Sequence, residues 1–125
     1  MNQKGIERIE KYLQDEELLY RDWYESVIQV QDDQYTTPAG IKDNLEKIKQ
    51  HFEKSFIKIR DELKENVCPS YCQKIQEESQ KKLQIRIILV AEYLTYLSGF
   101  PFDIITTATI LVHGEYLDRL CKCSK

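Results

Sequence analysis

One regular spacing of apolar residues constrains the fold of this chain more than any other feature. Between residues 41 and 67, apolar side chains recur every three or four positions, and Lys and Glu occupy many of the positions between them. The series is Ile41, Leu45, Ile48, Phe52, Phe56, Ile59, Leu63 and Val67. This spacing places all of these side chains on one face of an α-helix. We therefore predict a helix that packs this face against a core.

Three other segments also read as helices. An apolar stripe runs from Ile6 to Val30, and residues 85–97 are apolar on almost every side. Gly99 and Pro101 form a strong stop signal, and Asp103 suits the N-cap of a further helix. The chain has only four Gly and three Pro, which favours a few long elements over many short strands. The predicted helices cover residues 5–31, 38–66, 70–98 and 104–121, with no sheet.

Short connections between long amphipathic helices favour antiparallel neighbours. We predict an all-α fold, an antiparallel up-down-up-down four-helix bundle with three long helices and a shorter fourth. A length of 125 residues is that of a single domain, which we expect to span residues 1–125. The fourth helix is expected to bury one stripe and to cover only the apolar half of the third.

Charge and hydropathy restrict the partners. A net charge of −3 with no long basic run argues against nucleic acid. The longest apolar run, "IILVA", ends at Glu92 and is far shorter than the roughly 20 residues that span a membrane. The charged start of the chain has no apolar segment typical of a secretory signal. We therefore expect no nucleic-acid or membrane partner and a cytoplasmic location.

Four cysteines form two close pairs, Cys68 with Cys72 and Cys121 with Cys123. Four thiolates could hold zinc, but C-x3-C with C-x-C lacks the C-x2-C spacing of common zinc sites. On one continuous third helix, Cys72 would lie ~39 Å from the turn that joins it to the fourth, and Cys121 only ~26 Å. We therefore expect no metal at these cysteines, no cofactor, and mostly reduced thiols.

Two acidic pairs support an alternative, enzymatic interpretation. Glu7 with Glu10, and Glu115 with Asp118, each place two carboxylates one helical turn apart. Such pairs have the local form of those that hold Mg²⁺ in all-α nucleotide pyrophosphohydrolases. A chain with 21 acidic residues also produces such pairs by chance, so a solvated role is favoured. A cysteine-based metal or thiol sensor is a further alternative.

The second half of the third helix carries more apolar surface than one core can bury. If Val90, Leu94 and Leu97 point inward, an apolar face remains outside, formed by Ile85, Leu89, Tyr93 and Tyr96. Exposed apolar patches of this kind usually mark an interface. A twofold homodimer is the commonest way to cover one, and we expect the exposed side of the fourth helix beside it. The favoured function is therefore non-enzymatic, through protein–protein interaction or self-association.

Overall fold

The computed structural model describes residues 3–28, 45–77, 83–97 and 99–123, and these ranges contain helices and no strand. The helices are α1 (Gln3–Gln14), α2 (Glu16–Ile28), α3 (Leu45–Asn66), α4 (Cys68–Glu77), α5 (Leu83–Thr95), α6 (Ile104–His113) and α7 (Tyr116–Cys121). The all-α class is therefore confirmed. The predicted helical residues 29–31 and 38–44 lie outside the described ranges.

The prediction of four continuous helices is wrong, because the described ranges contain seven. The first predicted helix divides at Asp15, whose carboxylate accepts a hydrogen bond from the Leu18 N–H at 3.1 Å and so caps α2. The fourth divides at Glu115, which has a left-handed φ of 63° between α6 and α7. The third is represented by α4 and α5. The antiparallel order of a four-helix bundle stays a prediction.

Helix α6 is surrounded rather than peripheral. All seven residues from Thr106 to Val112 are buried, and α6 contacts α1, α2, α5 and α7. A helix that is apolar on every side must be covered on every side. The buried Thr109 hydroxyl is satisfied locally, since it donates to the Ile105 carbonyl at 2.7 Å. The expectation that the fourth helix buries one stripe and leaves an exposed side for a dimer joint is therefore wrong for α6.

An aromatic cluster joins α2, α3 and α7 to Phe102, which lies just before α6. Trp23 of α2 is fully buried, and its ring centroid lies 4.9 Å from that of Phe52 in α3 and 5.8 Å from that of Phe102. Phe52 in turn lies 5.0 Å from Tyr116 of α7. The two pairs that involve Phe52 are edge-to-face, and such pairs add to the stability that burial alone provides. The cluster places α2, α3 and α7 next to one another.

Asp103 is the N-cap of α6, as predicted. Its carboxylate Oδ2 accepts hydrogen bonds from the Thr106 N–H at 3.0 Å and from the Thr106 hydroxyl at 2.8 Å. The Arg8 guanidinium of α1 approaches the same oxygen at 3.4 Å. One side chain therefore starts the central helix and attaches α1 to its beginning.

We expect Asp103→Ala to lower the free energy of unfolding by about 1–2 kcal/mol, the usual cost of losing an N-cap. Urea unfolding followed by circular dichroism measures this. Asp61→Ala, which removes an exposed carboxylate of α3, is the control and should change stability by less than about 0.5 kcal/mol. Equal losses in the two variants would contradict the capping role.

Candidate functional site

All four cysteines come together, and they do so as two disulfides. Cys68 is bonded to Cys121, with 5.3 Å between their Cα atoms, and Cys72 is bonded to Cys123, with 5.2 Å between theirs. The bonds attach the first turn and a half of α4 to the end of α7. Each closes a loop of more than 50 residues, since the sequence separations are 53 and 51. The expectation of reduced thiols is therefore wrong.

The physical reason for this error is the assumption that each predicted helix is straight and continuous. The predicted separation of Cys72 from Cys121 assumed that residues 70–98 form one straight helix with a constant rise per residue. The observed Cα separations of 5.3 and 5.2 Å instead place the start of α4 against the end of α7. The fourth predicted helix is also divided at Glu115, so Cys121 does not lie on a straight continuation of α6. An intrahelical bond between Cys68 and Cys72 is not formed.

A buried polar contact accompanies the disulfides. The Tyr71 side chain, fully buried in α4, donates its hydroxyl to the Asp118 carboxylate of α7 at 3.0 Å. Burial raises the pKa of Tyr71 above its ordinary value of about 10, and the Asp118 charge raises it further. Arg86 of α5 acts in the opposite direction on the same hydroxyl. This contact therefore links α4, α5 and α7 beside the two disulfides.

The acidic pairs of the enzymatic alternative have other partners. Asp118 accepts the hydrogen bond from Tyr71, and Glu10 accepts one from the Gln84 amide at 3.1 Å. Glu7 and Glu115 are exposed. In the described part of the chain, no three His, Cys, Asp or Glu side chains are grouped so that they could hold a metal ion. The described structure thus offers these pairs no shared site.

The apolar face of α5 has the orientation that the sequence predicts. Val90 and Leu94 are fully buried and Leu97 is half-buried. On the opposite side, Ile85 is 43% exposed and Tyr96 is 83% exposed. Leu89 and Tyr93 are half-buried at the edge of this face. Of the four residues named from the sequence, Ile85 and Leu89 thus lie on the outer side of α5, Tyr93 is partly packed against the core, and Tyr96 follows directly after the helix ends at Thr95.

A groove between α3 and α7 was not predicted. Its volume is about 610 Å³, and its lining combines apolar, cationic and acidic side chains: Phe56, Ile57, Tyr116 and Leu120; Arg60, Lys64, Arg119 and Lys122; and Glu53 and Asp61. The sequence carries part of the signal, because Arg60 and Lys64 share one side of α3 at a spacing of four. From the sequence alone, that side of α3 has the pattern of a solvated helix face. It forms part of a groove because α7 lies next to it.

Comparison of the chain with protein-family models, with curated proteins and with solved structures finds no match. Among the described helices, none is both long enough and apolar enough to cross a membrane.

The two disulfides should contribute non-additively to stability. Either bond alone closes the long loop, so replacing one pair, Cys68→Ser with Cys121→Ser or Cys72→Ser with Cys123→Ser, should cost only about 2 kcal/mol. Replacing all four cysteines removes the loop constraint itself and should cost about 6 kcal/mol, more than the two separate losses combined. Urea unfolding of the oxidised proteins measures the three values. Strictly additive costs would contradict the shared loop.

Tyr71→Phe should lower the free energy of unfolding by about 1 kcal/mol at pH 8, because the bond to Asp118 is lost. A raised pKa in the folded state gives stability that is complete below pH 10 and is lost as the pH rises further. The cost of Tyr71→Phe should therefore shrink above pH 10. Tyr96→Phe, which removes an exposed hydroxyl, is the control. A cost for Tyr71→Phe that stays constant from pH 8 to pH 11 would contradict the buried role.

Proposed function

We propose that this protein is a non-enzymatic binding protein that forms a twofold homodimer through the outer face of α5. The observation that carries the proposal is the exposure of Ile85 on α5, and of Tyr96 directly after its last residue, opposite the buried side of the helix formed by Ile87, Val90, Ala91 and Leu94. Covering these side chains removes apolar surface from water and favours association. Tyr is also among the residues enriched at protein interfaces.

The spacing along α5 suits a twofold axis. Ile85 and Tyr96 are 11 residues apart, which is ~16 Å along a helix. In a twofold arrangement of two antiparallel α5 helices, Ile85 of one copy meets Tyr96 of the other, and Leu89 lies near the centre. Glu92 is exposed on the same side of α5. Along the helix it lies as close to the twofold axis as Leu89, so the two copies must meet slightly to one side of it for its carboxylate to keep its water.

The helices beside this face differ from those expected from the sequence. The inner side of α5 packs on α6, and the buried residues Thr106–Val112 leave α6 no free side to offer. The dimer contact therefore consists mainly of α5 against α5. This is a small interface, and we expect a reversible dimer at micromolar concentrations rather than a permanent one.

The disulfides bear on where this association takes place. Disulfides persist in oxidising compartments and are rare in a reducing cytoplasm. The two bonds of this chain weigh against the cytoplasmic location expected from the sequence. That location stays a prediction.

Charge introduced on the outer face of α5 should separate the copies. Leu89→Glu with Tyr93→Glu should weaken the dimer on the order of 100-fold, because the carboxylates would have to be desolvated without partners. Sedimentation equilibrium of the full chain measures this. Ile85→Glu with Tyr96→Glu should act similarly at more exposed positions, where the substitutions do not disturb the core.

Gln14→Glu with Gln50→Glu adds the same charge at exposed positions of α1 and α3 and is the matched control. It should leave the dimer intact. A chain without substitutions that sediments as a monomer throughout the micromolar range would exclude the homodimer. A dimer that survives both α5 double substitutions would place the contact elsewhere on the molecule.

A further inference from the structure

The groove between α3 and α7 has the shape of a helix-binding site. Its floor is apolar, with the ring centroids of Phe56 and Tyr116 only 5.1 Å apart. Ile57 stands on the wall with 58% of its surface exposed, although it is a large aliphatic residue. The part of α3 that lines the groove runs from Glu53 to Lys64, which is ~16 Å at 1.5 Å per residue. Three turns of a partner helix fit this length.

Cationic side chains stand on both walls. Arg60 and Lys64 extend from α3, and Arg119 and Lys122 from α7 and the residue after it. Within the described ranges, no carboxylate forms an ion pair with Arg60, Lys64 or Lys122. The Arg119 guanidinium lies over the Tyr116 ring, 5.1 Å from its centroid, rather than against an acid. Two pairs of cations thus line the groove, and Arg60, Lys64 and Lys122 form no ion pair with a carboxylate of the described residues.

The disulfides hold one of these cations in place. Lys122 lies between Cys121 and Cys123, which are both bonded to α4. Its backbone has a left-handed φ of 47°, and its N–H donates to the Asp118 carbonyl at 3.1 Å. Here its backbone is fixed on both sides, which lowers the entropic cost of using it to bind a partner.

We infer that this groove binds an acidic amphipathic helix of a different protein. The occupant follows from complementarity of charge: four cations and two acids give the groove an excess of two positive charges, whereas the whole chain has a net charge of −3. The apolar floor requires an apolar stripe on the partner, and the flanking cations require acidic residues beside that stripe. The groove is formed by α3 and α7, whereas the proposed dimer contact is formed by α5. Peptide binding and dimer formation can therefore be tested, and can fail, independently.

Selection from a displayed library of helical 16-residue peptides, with the full oxidised protein as bait, tests the inference. The enriched peptides should be acidic and should carry apolar residues at a spacing of three and four. Fluorescence anisotropy should then show that a selected peptide binds the double variant Arg60→Glu with Lys64→Glu at least tenfold more weakly than it binds the unchanged chain. Binding should also weaken to the chemically reduced protein, in which Lys122 is no longer held from both sides.

Two matched variants serve as controls. Lys11→Glu with Lys47→Glu makes the same charge change at exposed positions outside the groove, and Ile85→Glu with Tyr96→Glu disrupts the α5 face. Both should bind the selected peptide as the unchanged chain does. Failure to enrich acidic peptides, or equal weakening by Lys11→Glu with Lys47→Glu, would overturn the inference. So would a single-stranded RNA of equal charge that binds the groove as tightly as the peptide.

Discussion

The burial of Thr106–Val112 in α6 is the constraint on which the rest of the structure depends. Seven consecutive buried residues require neighbours on every side, and α1, α2, α5 and α7 supply them. Asp103 starts this helix and ties it to Arg8 of α1. Helix α5 packs on α6 with one of its sides. The opposite side of α5 also carries apolar residues and remains in contact with water. The exposed face that we propose as a dimer interface is therefore a consequence of the way in which the centre is covered.

The disulfides fix the position of α7. They join α4 to α7 through two bonds that close nearly the same loop, and the Tyr71 hydroxyl adds a contact to Asp118 between them. With α7 held in this way, the Tyr116 ring packs edge-to-face against Phe52 and at a tilt against Phe56 of α3. The groove between α3 and α7 depends on this arrangement, because one of its walls consists of the short segment that the disulfides anchor.

The two candidate surfaces differ in chemistry and in the elements that form them. The outer face of α5 is largely apolar, with Glu92 as its exposed charge, and suits a contact with itself that leaves this carboxylate in water. The groove combines an apolar floor with an excess of cations over acids, which would repel a second copy of the same groove and favour an acidic partner. A protein that uses both could dimerise and bind a different protein at the same time, since no residue belongs to both surfaces.

Local sequence patterns determined the helical class, the Asp103 cap, and the inward position of Val90 and Leu94, because each depends on spacing within one segment. Periodicity identifies the side of a helix that is buried, but it does not identify the helix that others surround. The small and apolar residues at every position of "TTATILV" were the available signal for α6. The pairing of Cys68 with Cys121 and of Cys72 with Cys123 was decided by tertiary structure alone. It depends on the start of α4 lying against the end of α7, which the rise along a single helix does not reveal. The groove likewise required α7 to lie beside α3, because charges on one helix form a binding site only when a second wall faces them.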